Sequence, residues 1–310
     1  MRILLVHNPK AGSEEHEGDT LMEALKKAGH KPRYQSSKTK GFAKALKEKT
    51  DLVLVAGGDG TVGKIARHLI GRKIPLSVLP LGTANNLART LGFHPSVETL
   101  IAQLKDGESS KFDVGLARGP WGKRYFFEGA GAGLLAEYLQ APLEMEKDET
   151  PSKKAAMKRH VEELRQWLSE QPAREWRIML DKEDVSGRYL LWQAMNIRSV
   201  GPVLTLAPEA RADDGEFDFV GLREPDRPLL LEHLEARLQG MEHKFTLPTV
   251  KFRKMRLSWK KSPLHFDDES WPPEDEKPPD PCEIKIEVKP SVLRIWKSRA
   301  HTHSELASRI

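Results

Sequence analysis

Short, wholly apolar runs alternate with stretches of helical spacing over the first third of the chain. Ile3-Leu4-Leu5-Val6 predicts a buried strand. Leu21, Met22, Ala24 and Leu25, within Asp19–Ala28, have the spacing of a helix that stops at Gly29. Gly41–Lys49 reads as a second helix, Leu52–Ala56 as the next buried strand and Val62–Leu69 as a third helix closed by Gly71. Leu76–Leu79 predicts a strand ending at Pro80, and Ala84–Leu91 a further helix. Strands that are apolar throughout and separated by helices predict a parallel sheet covered on both faces.

The pattern changes near residue 112. Phe112–Leu116, Arg124–Phe127, Glu175–Leu180, Tyr189–Met195 and Phe217–Val220 read as strands, and so do Met255–Trp259, Ile284–Val288 and Val292–Trp296. Several alternate apolar with polar, as antiparallel strands with one wet face do. Lys153–Leu168 and Leu229–Leu238 are inserted helices, residues 271–281 a Pro-rich acidic loop, and the last dozen residues a polar tail. An α/β unit is thus followed by a β-rich one.

A length of 310 residues suits two domains or one large one, and 38% hydrophobic with 31% charged residues excludes a disordered chain. One cysteine, Cys282, excludes a disulfide framework, and no Cys/His cluster offers a zinc site. The longest apolar run, Leu52–Ala56, is far below the ~20 residues that span a bilayer. The first residues carry neither a long enough apolar stretch nor a cleavage site for a signal peptide, so a cytoplasmic setting is expected. The net charge of +5 is compatible with nucleic acid, an anionic membrane surface or a polyphosphate. The interleaved basic and aromatic residues of a nucleic-acid module are absent.

The candidate chemistry begins at Gly57-Gly58-Asp59-Gly60-Thr61, between a strand and a helix. Glycines let the backbone approach a phosphate, and helix N-terminal amides favour the anion. Asp59 can hold magnesium or orient it through water, and Thr61 can hydrogen-bond a phosphate oxygen. The bland alternative is a Gly/Asp-rich turn with no ligand. Asn8-Pro9-Lys10-Ala11-Gly12 and Pro80-Leu81-Gly82-Thr83-Ala84-Asn85-Asn86-Leu87-Ala88-Arg89 also follow predicted strands. Three such loops at carboxyl edges of one sheet converge on one crevice. Neither a Walker loop nor a G-x-G-x-x-G turn is present.

The order NPxxG, GGDGT, PLGTxNxxAR resembles the diacylglycerol kinase catalytic domain superfamily, which includes bacterial diacylglycerol-kinase-like lipid kinases and sphingosine kinases. Downstream, Leu206–Asp218 matches the family's PxAxxDDGxLD segment, and Phe266-Asp267-Asp268-Glu269 stands where it has DGE. GGDGT alone is shared with NAD kinases and phosphofructokinases, so the later segments discriminate. The resemblance implies a Rossmann-like, three-layer α/β ATP-binding domain over residues 1–112. It implies an antiparallel β-sandwich lipid-substrate domain over 113–298, with its last strands packing back on the first domain, and a flexible tail over 299–310.

By the same resemblance, ATP is bound through Asn8, Gly12, Gly57, Gly58, Asp59, Gly60, Thr61, Gly82 and Thr83. A hydroxyl after the second strand joins them, with Ser36 and Ser37 both candidates. A metal site is implied at Asp214, with the carbonyls of Arg211 and Glu216, and a general base at Glu269. Phosphoryl transfer to an alcohol needs charge neutralisation, alignment and a proton acceptor. Asp59 with magnesium and the carboxylate pair Asp267 and Glu269 are the catalytic candidates; a solvated acidic turn is the alternative for that pair.

The implied protein is an ATP- and magnesium-dependent lipid kinase acting on diacylglycerol, a sphingoid base or a glycerophospholipid. It would meet the membrane peripherally and bind no nucleic acid, with oligomeric state open and a homodimer among the options. The alternatives are an NAD-kinase-like enzyme for a soluble substrate and a nucleotide- or lipid-binding protein without turnover.

Several positions depart from the family pattern. Gly63-Lys64 replaces Asn-Glu after GGDGT-x, Asn86 replaces an aspartate, and Asp268 replaces the DGE glycine. The family's glycine-rich stretch reads Arg198-Ser199-Val200-Gly201-Pro202. Lys64 is expected to meet a phosphate or water. Asp268 is expected to tolerate a positive φ if the turn demands one. Lys153, Lys154, Lys158, Arg159 and Arg165 would suit anionic lipid, but interleaved Glu162, Glu163 and Glu170 favour a solvated helix face. His265 reads as a strand-end histidine rather than a proton relay.

Overall fold

A computed structural model describes residues 1–12, 16–39, 41–93, 96–141, 153–201, 204–241, 243, 245–273 and 275–298. Pro202, the side chains of Lys153 and Lys154, and the tail with His301 and His303 lie outside the described residues. The chain divides into two units: Met1–Phe112 with the chain from Ser291 on, and Asp113–Pro290.

The first unit runs β1 (Arg2–His7), α1 (Gly18–Lys27), β2 (Lys31–Ser36), α2 (Phe42–Ala45), β3 (Leu52–Gly57), α3 (Asp59–Ala66), β4 (Leu76–Pro80), α4 (Asn86–Thr90) and α5 (Val97–Gln103). The strands are parallel in the order β4-β3-β1-β2. β1 and β3, apolar over Ile3–Val6 and Leu52–Ala56, lie inside the sheet and are buried there. The polar edge strand β2, Lys-Pro-Arg-Tyr-Gln-Ser, carries no apolar run, and its proline is tolerated at an edge. That is why the hydrophobic pattern does not reveal it. The chain's final strand adds Ile295 beside Leu76, and Trp296 Nε1 donates to the Leu104 carbonyl at 3.0 Å.

Three helices differ from their expected spans. α3 starts at Asp59, inside the glycine-rich motif, where a carboxylate suits the helix dipole. α4 starts only after Asn85, whose φ of 51° is left-handed. α2 is one turn. α5 was not foreseen, although Ser96 is its N-cap and accepts from Thr99 N at 3.2 Å.

β5 (Gly107–Gly119) leads into the second unit. There follow β6 (Gly122–Phe126), β7 (Gly129–Gly133), α6 (Leu134–Gln140), α7 (Lys153–Glu170), β8 (Arg174–Leu180), β9 (Glu183–Asp184), β10 (Gly187–Tyr189) and β11 (Leu191–Met195). Next come β12 (Ser199–Val200), β13 (Leu204–Thr205), β14 (Phe217–Leu222), α8 (Arg227–Leu238), β15 (Thr249–Phe252) and β16 (Lys254–Trp259). The chain closes on β17 (Leu264–Phe266), β18 (Glu269–Trp271) and β19 (Cys282–Ser298). One antiparallel sheet runs β15-β14-β11-β7-β17-β18. A second group pairs β10, β8, β16 and the first half of β19.

Alternate residues of β11 and β14 enter different cores. Trp192, Ala194, Phe217 and Phe219 meet Trp176, Leu257, Trp259 and Ile284 of the other sheet. Leu191, Met195, Val220 and Leu222 meet Leu164, Leu168, Leu230 and Leu234 of α7 and α8. The sandwich therefore carries a helical layer, and the inner strands β7, β11 and β14 of its six-stranded sheet are buried on both faces. β8, β16 and β19 show the one-wet-face alternation. Each fully buried Trp or Phe contributes about 1.5–3 kcal/mol. Among the described residues no helix is long and apolar enough to cross a membrane.

Candidate active site

In the first unit, strand register aligns the loop starts. His7 pairs with Ala56 and Ser36, and Gly57 with Pro80, so the residues after β1, β2, β3 and β4 emerge side by side. Asn8 N donates to the Ala56 carbonyl at 2.9 Å, and Asn8 Nδ2 to Thr61 Oγ1 at 3.3 Å, tying the first loop to the glycine motif. Ala11 N closes that loop on the Asn8 carbonyl, and Gly12, at φ 91°, turns it. The second and third loops touch glycine to glycine. A Cβ on Gly82 would sit 2.5 Å from Gly58 Cα, and one on Gly57 would sit 2.8 Å from Thr61 Cβ. Asn85 folds the Gly82 turn by accepting from Gly82 N at 2.9 Å and donating to its carbonyl at 2.8 Å. Gly60 and Thr83 are exposed. α3 leaves the first amides of its N-terminus without intrahelical acceptors, beside this glycine contact.

Asp59 is engaged within this cluster. Its Oδ2 accepts from Asn86 N at 2.9 Å and its Oδ1 from Leu87 N at 3.0 Å, so it caps α4 from a separate loop. Lys64, exposed, has partners within the protein. Its Nζ donates to the Ser37 carbonyl at 2.8 Å and lies 4.7 Å from the Phe42 ring centroid. Ser37 is buried, and its N–H donates to the His7 carbonyl; Ser36 Oγ, half-buried, accepts from Lys38 N at 3.2 Å. His7 is buried with Nδ1 3.3 Å from Tyr34 Oη, and burial lowers its pKa.

In the second unit, Asp267 and Asp268 form the two-residue tip of the β17–β18 hairpin, across which Phe266 pairs with Glu269. The left-handed residue is Asp267, at φ 56°, not Asp268, so the missing DGE glycine leaves no strain at position 268. The Asp267 carboxylate sits in a nest of backbone amides: Phe127 N at 2.9 and 3.0 Å, Glu128 N at 2.7 Å and Gly129 N at 3.4 Å. Its own N–H donates to the Gly129 carbonyl at 2.8 Å. Asp267 thus staples the hairpin to the β6–β7 connection and acts as a positioning residue. Glu269, the first residue of β18, is exposed.

Behind the tip, His265 is fully buried. Its Nδ1 lies 2.9 Å from the Asp267 carbonyl oxygen and its Nε2 2.9 Å from the Gln193 amide oxygen, so it is a buried brace. Burial holds its pKa down to about 4, against an ordinary value of 6.5. The unfolded chain takes up this proton as pH falls through 6.5, while the folded chain does so only near 4. Stability should fall across that window by about 3 kcal/mol, by linkage. Urea melts at pH 7 and pH 4.5, in wild type and in His265→Gln, check it; the glutamine variant should lack that component. An identical pH dependence in both proteins would remove His265 as its source.

The PxAxxDDGxLD segment forms a tight turn. Asp113 Oδ2, fully buried, accepts from Gly215 N at 2.6 Å, and Asp113 N donates to the Ala212 carbonyl. Asp214 Oδ1 accepts from Glu216 N at 3.1 Å and its Oδ2 lies 2.9 Å from Lys251 Nζ. Arg211 Nε donates to Asp213 at 3.1 Å. Among the described residues, no three His, Cys, Asp or Glu side chains converge as a metal site.

Four of these residues escaped the sequence reading. Asp113 lay hidden in a strand pattern, and Asn85 looked like one amide among several. Asn196, whose Nδ2 donates to the Asp113 and Phe127 carbonyls at 3.0 and 2.8 Å, carried no signal. Lys251 faces Asp218 only through the β14–β15 register.

The glycine-lined loops at aligned strand ends are followed by an antiparallel β unit bearing carboxylates, an arrangement compatible with a kinase of alcohol groups. Residues 2–117 match the family described as diacylglycerol kinase catalytic domain, which supports an ATP-dependent kinase that phosphorylates an alcohol group of a lipid. It is 28% identical over 232 residues to a diacylglycerol kinase of Staphylococcus epidermidis, covering 71% of this chain and 69% of that one. A solved structure titled as a putative diacylglycerol kinase from Bacillus anthracis shares the fold, with TM-score 0.71 and 21% identity over 96% of this chain and 98% of that one. An NAD kinase from Archaeoglobus fulgidus, solved with ATP, has TM-score 0.52 and 15% identity over 99% of this chain and 98% of that one.

Proposed function

We propose that this protein transfers the γ-phosphoryl group of magnesium-bound ATP to a hydroxyl of a membrane lipid: diacylglycerol, a sphingoid base or a glycerophospholipid. The observation that supports the nucleotide half is the contact of Gly58 with Gly82, which packs the second and third loops backbone to backbone at the strand ends. Phosphates would bind to the backbone amides of the loops so joined and to the N-terminus of α3. Asn8, Gly12, Ser36, Gly57, Gly58, Asp59, Gly60, Thr61, Gly82 and Thr83, at the ends of the four parallel strands, are the proposed binding set. Magnesium would supply charge neutralisation when bound with the nucleotide, and Asp59 would be the carboxylate that holds or orients it. Glu269 receives the proton of the acceptor hydroxyl. The protein reaches its lipid as a peripheral visitor; on α7, Lys158 and Arg165 are already paired with Glu162 and Glu235.

Single-turnover transfer of labelled phosphate from ATP to a lipid extract tests the reading. Labelled lipid supports it, whereas ATP binding without transfer leaves a non-catalytic nucleotide binder, and labelled NAD a soluble-substrate kinase. Gly82→Ala should weaken ATP binding at least tenfold, because its Cβ meets backbone at 2.5 Å and Asn85 Oδ1 at 2.8 Å. Asp59→Ala should abolish transfer and also cost about 1–2 kcal/mol, since two amides of α4 lose their acceptor. Calorimetric ATP titration and urea melts separate the two effects. Transfer by Asp59→Ala above a tenth of wild type would remove Asp59 from the machinery.

A further inference from the structure

The turn Asp213–Asp218 carries four carboxylates, and each has a protein cation beside it. Arg211 Nε is 3.1 Å from Asp213, Lys251 Nζ is 2.9 Å from Asp214 and 3.4 Å from Asp218, and Arg253 Nε is 3.4 Å from Glu216. Lys251 and Arg253 stand two residues apart, on the same face of the chain leaving β15. The β14–β15 register sets Lys251 directly opposite Asp218. Asp218 is only 4% exposed at its side chain, so its carboxylate needs a partner that the sheet itself delivers. The remaining oxygen of Asp214 is taken by Glu216 N, and the turn is closed from beneath by Asp113.

We propose that the Lys251 ammonium is the resident cation of this turn and fills the place at which the resemblance implies a divalent ion. An ammonium 2.9 Å from Asp214 Oδ2 already neutralises the carboxylate a divalent ion would need, and so competes with such an ion for it. Neutralising Asp214 and Asp218 together is work that one ion would otherwise do, and here the adjacent strand does it. The turn is therefore set by folding alone, without dependence on metal supply. The inference concerns the second unit only and is independent of the kinase reading, because its test uses no nucleotide and no substrate.

The experiment is thermal unfolding of the full chain, without ATP, in EDTA and in magnesium chloride from 0 to about 10 mM at constant ionic strength. Wild type should melt at one temperature throughout. Lys251→Met should melt several degrees lower in EDTA, as the size of a lost charge-assisted pair in a chain of this length requires. It should recover part of the loss in magnesium, and Lys251→Arg should stay near wild type. A loss in Lys251→Met that magnesium partly restores supports the proposal, whereas a loss that magnesium leaves unchanged makes Lys251 an ordinary ion-pair partner and overturns it. A wild-type midpoint that climbs by several degrees with magnesium and falls with EDTA would overturn it, and so would a Lys251→Met variant as stable as wild type. The wild-type titration decides the matter even if the methionine variant does not fold.

Discussion

Glu269→Gln is expected to lower kcat by about a hundred- to ten-thousand-fold and to leave ATP affinity close to wild type. A lipid hydroxyl is a weak nucleophile at neutral pH, and a positioned carboxylate removes its proton as the new bond to phosphorus forms. Glutamine keeps the length and hydrogen-bond reach of the side chain but does not accept the proton. The substitution is gentle on the fold, because Glu269 opens a short strand and is exposed. Calorimetric ATP binding beside initial rates on a lipid acceptor separates the two quantities. Wild-type rates in Glu269→Gln would remove it as the base and reopen the choice between Asp59 and Asp267, each of which has both oxygens held by backbone amides.

Asp267→Ala should be the most destabilising change in the β unit, by about 3–5 kcal/mol, with activity lost as a consequence. Removing the carboxylate strips the amides of Phe127 and Glu128 of their acceptor in a buried place and puts alanine at a left-handed φ of 56°. Asp267→Asn keeps one acceptor oxygen and a residue that tolerates that backbone, so its loss should be about half as large. Urea unfolding of the three proteins gives the order. If Asp267→Ala unfolds with wild type, the hairpin tip is held by something other than this nest. These expectations replace the view of Asp267 as one half of a catalytic pair. The sequence shows two acidic residues near each other, and only the fold shows where the first one is spent.

The same division runs through the rest of the molecule. Strands such as Ile3–Val6 and Leu52–Ala56 are legible because a parallel strand buried on both faces must be apolar at every position. The phosphate loops are legible because they need glycine where backbones meet, and composition alone reports glycine. Strand β7, Gly-Ala-Gly-Ala-Gly, is invisible for the opposite reason. Its small residues make room for neighbours: a Cβ on Gly131 would sit 2.3 Å from the Gln193 side chain and the Trp192 carbonyl. Nothing in the pentapeptide itself favours extended backbone. The helical layer over the sandwich was seen as helices but not as a layer, because periodicity identifies an apolar face without naming what covers it.

By itself the sequence determined the α/β order of the first unit, the glycine motifs and the family resemblance, since these rest on local periodicity and on residue types that chemistry makes irreplaceable. Tertiary structure alone decided what each charged side chain does. Asp59 caps a helix that starts 27 residues later, Lys64 reaches the Ser37 carbonyl, and Lys251 faces Asp214 and Asp218. A carboxylate or ammonium is indifferent to its neighbours in sequence. Its partner is whichever opposite charge or free amide the fold brings within about 3 Å, and strand register sets that distance.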